Sequence, residues 1–274
     1  MAQTILITGA SSGIGRSTAG LFHEKGWNVV ATMRSPDQET ELTALDNVLV
    51  TRLDVTDPSS IQSAIDAAAA EFGQIDVLLN NAGYGAYGPL EATPDANIER
   101  QFDTNVIGLL KVTKAVLPYF RAQKSGVIVN VSSIGGRLTF PLGTLYHGTK
   151  FAVEGLSEAL HYELEPIGIR VKIVEPGMIA TDFGGRSFDF NNDESMAEYQ
   201  PTVQGLFAAF EAVGEQVSPP SVVADVIYRA VTDGTDTLRY PAGEDAVALL
   251  AARSQQDDAA FIAGLKAQFR LANP

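Results

Sequence analysis

The chain has 274 residues, of which 45% are hydrophobic, so it is long enough to bury a full core as one domain. It contains no cysteine, which excludes a disulfide framework, a thiolate metal site and a thiol nucleophile. Its formal net charge of −14 argues against a surface that binds nucleic acid or anionic membranes. The longest apolar run, residues 246–252, is far too short to span a bilayer, and no signal peptide precedes the first predicted strand. A soluble cytoplasmic protein is expected.

A predicted strand at residues 4–8 opens the chain and is followed by a glycine-rich turn. The turn reads Gly9-Ala-Ser-Ser-Gly13-Ile-Gly15, and the stretch from Ser17 predicts a helix that ends near Gly26. Glycines in such a turn let backbone N–H groups and the helix N-terminus approach a pyrophosphate. The alternative is a glycine-rich turn without a ligand.

The rest of the chain alternates between strands and helices. Further strands are predicted at residues 28–33, 48–52, 77–80, 127–132, 170–175 and 237–240. Helices are predicted at residues 59–72, 94–124 with an interruption near Pro118, 144–164 and 220–232. Continuous apolar strands separated by amphipathic helices predict one α/β domain of Rossmann type, a doubly wound parallel sheet with helices on both faces. Ligands bind outside the carboxyl ends of such strands. The residues predicted there are Gly9, Arg34, Asp54, Asn81, Ser133 and Pro176.

Tyr146 and Lys150 are four residues apart in a predicted helix and therefore share one face. A free tyrosine has a pKa of ~10 and is only about 0.1% ionised at neutral pH. A fixed positive charge nearby stabilises the phenolate, so Lys150 is expected to lower the pKa of Tyr146 and make it a proton donor and acceptor. Alone, the pair could be an accident of helical spacing.

Six motifs in one order resemble the short-chain dehydrogenases/reductases, in the branch without a large substrate domain. The resemblance runs from residue 4 to about residue 181. The motifs are Thr8-Gly9-Ala10-Ser11-Ser12-Gly13-Ile14-Gly15, Asn80-Asn81-Ala82-Gly83, Asn105, Ser133, the Tyr146–Lys150 pair and Pro176-Gly177 with Thr181. The resemblance implies reversible hydride transfer between a nicotinamide and a carbonyl or secondary alcohol. A looser resemblance points to hydroxysteroid/retinol dehydrogenase-like relatives.

The family resemblance also implies the catalytic roles. Tyr146 would exchange the proton, Ser133 would hydrogen-bond the same substrate oxygen, and Lys150 would hold the nicotinamide ribose. Asn105 would kink its helix and hold a water molecule that completes a proton relay, or it could be a polar residue satisfied within a helix. His147 is interpreted as structural or solvated. A Ser133–His147 hydrolase pair is disfavoured, because adjacent helical residues point apart.

The implied cofactor-binding residues lie on several loops. They are Gly9, Ser11, Ser12, Gly13, Ile14, Gly15, Arg34, Asp54, Val55, Asn81, Ala82, Gly83, Tyr146, Lys150, Pro176, Gly177, Ile179 and Thr181. Asp54 would contact the adenine, whereas Asp57 is better placed to cap the next helix. Asn81 could equally be a turn former. No acid stands after the second strand before Asp37, and Arg34 offers a guanidinium suited to a 2′-phosphate. NADP(H) is favoured over NAD(H), and a solvated arginine is the alternative.

The predicted substrate contacts are Ser133, Leu142, Tyr146 and Phe183. An aromatic-rich segment at about 182–216 suits a lid over a bulky, mostly apolar carbonyl or alcohol, or it merely packs the loop. The tail at about 243–274 predicts an amphipathic helix that packs on the core or, as the alternative, forms a subunit contact. No metal site is expected, and the resemblance implies a homodimer or homotetramer.

Two other functions remain open. One is a non-catalytic NADP-binding regulator on the same fold. The other is an epimerase or dehydratase, as in extended relatives that also use Tyr and Lys, although 274 residues can hardly supply their larger substrate domain.

Overall fold

The computed structural model describes residues 2–181, 185, 187–213 and 217–271. The strands of this described part are β1 (Thr4–Thr8), β2 (Asn28–Met33), β3 (Val48–Arg52), β4 (Val77–Asn80), β5 (Gly85–Tyr87), β6 (Gly126–Val131), β7 (Ile169–Pro176), β8 (Phe188–Phe190) and β9 (Arg239–Ala242). The helices are α1 (Gly13–Glu24), α2 (Pro58–Phe72), α3 (Asp95–Phe102), α4 (Leu109–Gln123), α5 (Thr144–Leu164), α6 (Gln200–Val213), α7 (Pro220–Thr232), α8 (Glu244–Gln255) and α9 (Asp258–Gln268).

A parallel sheet of seven strands forms the centre, in the order β3-β2-β1-β4-β6-β7-β9. The chain winds outward from β1 to β3 in one direction and from β4 to β9 in the other. The strand order therefore reverses between β1 and β4, and the crevice outside their carboxyl ends is where open α/β sheets bind ligands. The predicted doubly wound α/β fold is confirmed.

Alternation along the strands gives the sheet two cores. In β1, Ile5 and Ile7 belong to the core beneath α1 and α7, which includes Phe22. Leu6 points to the opposite face and belongs to the core beneath α2 and α4, which includes Ile65. A strand that buries side chains on both faces needs helices on both faces. These two cores support the strands whose carboxyl ends carry the loops of the candidate site.

The predicted interruption of the long helix at Pro118 is wrong. The helix is interrupted instead by a π-helical turn, Asp103–Gly108, and Pro118 lies inside α4. Proline removes the N–H that would bond the carbonyl of Lys114, but both residues are exposed, so water can satisfy that carbonyl.

The other predicted elements are found with small shifts at their ends. Residues 144–164 and 220–232 begin and end as predicted, while the last strand lies at Arg239–Ala242 rather than at 237–240. A two-stranded parallel sheet of β5 and β8 was not predicted. Tyr87 pairs with Phe190 in it, which joins segments about a hundred residues apart.

The predicted tail helix is two helices. Asp257 begins the second, α9, by accepting a hydrogen bond from the backbone N–H of Ala260 at 2.8 Å. Phe261 and Phe269 are buried, as core packing requires, but Val247 and Ile262 are 57% and 51% exposed. The predicted packing of the tail is therefore only partly correct. Within the described ranges, no helix has the length and apolar character needed to cross a membrane.

Candidate active site

The glycine turn after β1 leads into a helix whose N-terminus has no side-chain cap. Gly9 and Gly13 have φ angles of +71° and +55°, which side chains rarely adopt, and a Cβ on Gly15 would overlap the Gly9 carbonyl oxygen. Helix α1 begins at Gly13, and the hydroxyl of Ser12 makes no capping hydrogen bond. The first N–H groups of α1 are therefore available to an anion, which fits a dinucleotide pyrophosphate.

Asn81 ties the loop after β4 to this turn. Its Nδ2 donates to the carbonyl oxygens of Thr8 and Gly9 at 2.9 and 3.0 Å. Its backbone N–H and that of Ala82 both donate to Oγ1 of Thr8, at 3.0 and 3.1 Å. Asn81 thus joins two predicted cofactor loops through hydrogen bonds to distant residues of the chain. Two residues further on, a Cβ on Gly83 would lie 3.0 Å from Oδ1 of Asn105, so a side chain there would crowd that oxygen.

The segment after β7 closes against the same turn. A Cβ on Gly13 would lie 3.2 Å from Cγ2 of Thr181, so these two predicted cofactor residues are neighbours. Ile179 bridges to Ser218, whose carbonyl oxygen accepts from the Ala180 N–H at 2.9 Å. The first turn of α8 also supports the segment.

Asp245 supplies that support, a role that was not predicted from the sequence. Its Oδ2 accepts from the Met178 N–H at 2.6 Å, and its carboxylate occupies the space that a Cβ on Gly177 would need. An acid in a first helical turn is ordinarily interpreted as a partner of the helix dipole. Only the fold shows that this carboxylate orients the Pro176–Thr181 segment.

Arg34 and Asp54 lie at the ends of neighbouring strands. Arg34 is exposed directly after β2 and makes no ion pair with any part of the chain that the structure describes. Asp54 accepts from the N–H and hydroxyl of Thr56 at 2.9 and 2.7 Å. Asp57, and not Asp54, caps α2, as predicted. Val55 is buried beside Asp54. Arg34 and Asp54 therefore lie at the same edge of the sheet, at the ends of β2 and β3.

Ser133 and Tyr146 meet at the carboxyl end of β6. Oγ of Ser133 accepts from the Gly135 N–H at 3.0 Å, and its hydroxyl hydrogen-bonds the phenol of Tyr146. Tyr146 is only 8% exposed, and this burial raises its pKa to about 12, opposed by the Ser133 hydrogen bond. The lowering of this pKa predicted for Lys150 is not found, because desolvation raises it and the Ser133 hydrogen bond offsets only part of that rise. At neutral pH the phenol is protonated.

Lys150 lies on the face of α5 that carries Tyr146, as the spacing predicted. Its Nζ is 5.8 Å from the centre of the Tyr146 ring and donates to the carbonyl oxygen of Val131 at 2.9 Å. Burial lowers the pKa of Lys150 to about 8, and the carboxylate of Glu154 opposes this effect. Glu154 is buried one turn further along α5, where Oε2 accepts from Arg239 at 2.9 Å. No motif in the sequence singles out Glu154.

Asn105 lies in the π-helical turn, at the place where the family resemblance implied a kink in its helix. It is buried, and its Nδ2 donates to the Tyr84 carbonyl oxygen at 2.9 Å and to Oγ1 of Thr149 at 3.1 Å. Its Oδ1 accepts from the Tyr84 N–H at 3.1 Å. The side chain is satisfied outside its own helix and joins the loop after β4 to α5. The predicted water relay stays a prediction.

His147 is buried beside Tyr146 but does not contact Ser133 as a base would. Its Nε2 accepts from the Phe140 N–H at 2.9 Å, and its Nδ1 lies 3.0 Å from the Gly135 carbonyl oxygen. Burial lowers its pKa to about 4, so the ring is neutral at physiological pH. The structural interpretation of His147 is confirmed.

An aromatic wall surrounds the ring of Tyr146. Tyr87 lies 5.6 Å from it between ring centres, and Phe188 lies 5.3 Å from Tyr87. The remaining members of the wall are Phe140, Leu142, Phe190, Leu206, Ala209, Phe210, Leu265, Phe269 and Leu271. The predicted contact Leu142 belongs to this wall, whereas Phe183 lies outside the described residues. The described part of the predicted lid supplies β8 and α6 to the same wall.

Comparison with known proteins gives relatives along nearly the whole chain. Residues 3–192 match the family of short chain dehydrogenases. An uncharacterized oxidoreductase of Schizosaccharomyces pombe is 48% identical over 87% of this chain and 100% of its own length. A 3-ketodihydrosphingosine reductase of Bacteroides thetaiotaomicron is 43% identical over 66% of this chain and 65% of its own.

Solved structures share the fold. A short-chain dehydrogenase from Streptomyces avermitilis has a TM-score of 0.82 at 34% identity and covers 99% of this chain and 98% of its own. ElxO with NADP bound has a TM-score of 0.75 at 27% identity, covering 90% of this chain and 100% of its own. A 3-ketoacyl-(acyl-carrier-protein) reductase from Brucella melitensis in complex with NADH has a TM-score of 0.73 at 25% identity. It covers 87% of this chain and 96% of its own.

Proposed function

Since this chain belongs to the short-chain dehydrogenase family, we propose that it reduces a bulky, mostly apolar ketone or aldehyde with NADPH, and that Tyr146 is the proton donor. The observation that carries the proposal is the position of the Tyr146 phenol. It meets the Ser133 hydroxyl and lies within the aromatic wall, at the sheet edge that also carries the glycine turn.

The residues around Tyr146 suit proton donation. With a pKa of about 12, its phenol holds a proton at neutral pH that can pass to the oxygen of a carbonyl as that oxygen becomes negative. Ser133 hydrogen-bonds the same oxygen and stabilises its charge. Lys150, with a pKa of about 8, is cationic at neutral pH and stabilises the phenolate that is left behind.

The loops around the site fit a nicotinamide dinucleotide. When bound, this cofactor supplies the hydride that the carbonyl carbon accepts. The glycine turn from Gly9 to Gly15 would hold the pyrophosphate, and Asp54 with Val55 would border the adenine. Asn81 to Gly83 would pass along a ribose, and Tyr146 and Lys150 would contact the nicotinamide ribose. Pro176, Gly177, Ile179 and Thr181 would orient the carboxamide.

The proposed preference for NADPH rests on Arg34. Its guanidinium is exposed at the end of β2, where a 2′-phosphate would lie, and it makes no ion pair in the described ranges. Arg16, by contrast, is held by Glu39 and Glu41. Similar structures hold NADP in one case and NADH in another, so they support a nicotinamide cofactor without choosing between the two.

The proposed substrate class follows from the aromatic wall. The members of the aromatic wall beside Tyr146 are aromatic or aliphatic, which favours an apolar body next to the reacting carbonyl. The relative named as a 3-ketodihydrosphingosine reductase is consistent with a ketone substrate. The β8 and α6 segments would act as the lid. The cytoplasmic location and the homodimer or homotetramer are predictions from the sequence.

Oxidation of NADPH and NADH, measured side by side over a panel of small and bulky ketones, aldehydes, steroids and retinoids, tests the proposal. Faster turnover of NADPH with the bulky apolar carbonyls is the expected result. Tight NADPH binding without turnover of any carbonyl would instead favour a non-catalytic regulator. The matched control is each cofactor alone, which measures oxidation that does not depend on substrate.

A further inference from the structure

The loop at residues 134–143 connects Ser133 to the helix that carries Tyr146. It contains Leu142 in the left-handed region, with φ at +62°, where a branched side chain is strained. A strained loop keeps its conformation only if other contacts hold it. One such contact is the hydrogen bond from the Gly88 N–H to the Leu142 carbonyl oxygen, at 2.8 Å.

His147 contacts both ends of this loop with its two ring nitrogens. Because Nε2 accepts from the Phe140 N–H, it carries no proton, and in the neutral ring the proton must be on Nδ1. Nδ1–H then donates to the Gly135 carbonyl oxygen at 3.0 Å. One buried side chain therefore satisfies one backbone donor and one backbone acceptor, five residues apart in the loop.

The space around the ring is closed. A Cβ on Gly135 would lie 2.7 Å from Nδ1 of His147, and a Cβ on Gly143 would lie 2.5 Å from its Cδ2. The rings of Tyr87, Phe140 and Tyr146 meet the imidazole edge-on at 5.9, 5.7 and 5.6 Å. Tyr87 and Tyr146 are the titratable groups among these rings, and burial raises the pKa of each, so neither places a charge beside the imidazole.

We propose that His147 is a positioning residue: its neutral imidazole clamps the 134–143 loop and so holds Ser133 against Tyr146 and Leu142 in the aromatic wall. The proposal rests on the reductase function proposed above. His147 acts through the loop, and it neither touches the substrate nor carries the transferred proton.

Three substitutions separate the two hydrogen bonds. His147→Phe keeps the aromatic volume and removes both. His147→Gln keeps an acceptor near the position of Nε2, and His147→Asn keeps a donor near the position of Nδ1. His161→Phe, on the same helix but outside the site, is the matched control.

Kinetics with the best ketone of the panel give the first measurement. His147→Phe should lower kcat/KM roughly ten- to a hundredfold, because small displacements of catalytic groups are costly, while the Kd for NADPH changes less than about twofold. His147→Gln should recover most of the loss, and His161→Phe should match the wild type. A wild-type rate in His147→Phe would overturn the proposal.

Hydrogen exchange of the Phe140 amide gives a readout that needs no turnover. In His147→Phe this amide should exchange at least about tenfold faster, because it loses its acceptor, and His147→Gln should keep it slow. Unchanged exchange in His147→Phe overturns the clamp, and faster exchange with unchanged kcat/KM overturns the positioning role.

If His147→Phe does not fold, His147→Asn must show faster exchange and lower kcat/KM than His147→Gln. A wild type that turns over no carbonyl contradicts the proposed function, and the exchange experiment still decides whether the clamp exists.

Discussion

Nζ of Lys150 donates a hydrogen bond to the carbonyl oxygen of Val131 at 2.9 Å, which ties the helix of Tyr146 to the strand that leads into Ser133. The two residues come from separate elements of the fold, α5 and β6. Their contact fixes the ammonium on the Tyr146 side of the helix, 5.8 Å from the centre of the phenol ring. The charge of Lys150 is therefore held in place beside the Tyr146 ring.

The first prediction concerns the pH dependence of reduction. Lys150 has a pKa of about 8, so its charge, and with it kcat/KM, should be lost as pH rises through that value. The Glu154 carboxylate raises the pKa of Lys150, and Glu154→Gln removes it. The fall in kcat/KM should therefore move to lower pH by at least roughly 0.5 unit. The pH–kcat/KM profile measures this. Glu158→Gln, which contacts the same Arg239 from an exposed position, should leave the profile unchanged. An unmoved profile in Glu154→Gln would mean that the carboxylate does not act on Lys150.

The second prediction concerns cofactor preference. Arg34→Asp replaces a cation suited to a 2′-phosphate with an acid suited to a ribose diol. The ratio of kcat/KM with NADPH to that with NADH should fall about ten- to a hundredfold, the loss of one charge-assisted contact. Arg121→Asp carries the same charge change on an exposed residue at the end of α4, at the opposite edge of the sheet, and should leave the ratio unchanged. An unaltered ratio in Arg34→Asp would mean that the phosphate is recognised elsewhere.

The third prediction concerns the aromatic wall. Phe188 packs against Tyr87, Phe190 and Phe210. Phe188→Ala should raise KM for bulky apolar ketones about tenfold or more and change KM for small ketones much less, since a lost aromatic contact surface is felt only by ligands that reach it. Phe207→Ala, at the exposed rim of the same cluster, is the control. Equal effects on small and bulky ketones would argue that Phe188 supports the fold and not the substrate.

The fourth prediction concerns stability in acid. His147 has a pKa of about 4 in the folded chain and ~6.5 when unfolded, so below pH ~6.5 the unfolded state binds a proton that the folded state does not. The free energy of unfolding should therefore fall by about 3 kcal/mol as pH drops from about 6.5 to 4. In His147→Phe that part of the fall should be missing. Urea unfolding at several pH values measures it. Glu175, with a pKa raised by burial to about 7, titrates in both proteins and cancels in the comparison. Identical pH slopes would contradict the assignment of a buried neutral imidazole.

Short-range sequence patterns were enough to predict the strands and helices that carry the site. Continuous apolar runs and a glycine turn specify β1 and the start of α1, and helical spacing places Tyr146 and Lys150 on one face. These features depend on neighbours within a few residues. The family and the fold class predicted from them are confirmed by the comparisons and by the sheet order.

Features that depend on distant partners could not be predicted. At the π-helical turn, Asp103–Gly108, Asn105 donates hydrogen bonds to the Tyr84 carbonyl oxygen and to Thr149, and no local pattern in the sequence indicates these two partners. The β5–β8 sheet joins strands far apart in the chain. The pKa of Tyr146 is raised because tertiary packing buries the phenol, and a sequence pattern does not show that burial. Asp245 and Glu154 were missed for the same reason.

The most direct test of Tyr146 as the proton donor is Tyr146→Phe, with the exposed Tyr162→Phe on the same helix as control. The two measurements are NADPH oxidation with the best ketone of the panel and NADPH affinity by titration. Loss of the donor should reduce kcat by about 10²–10⁴-fold, while the Kd for NADPH stays within about twofold and Tyr162→Phe behaves as the wild type. Turnover within about tenfold of the wild type would contradict the role of Tyr146 as proton donor, because general acid catalysis contributes about a hundredfold or more.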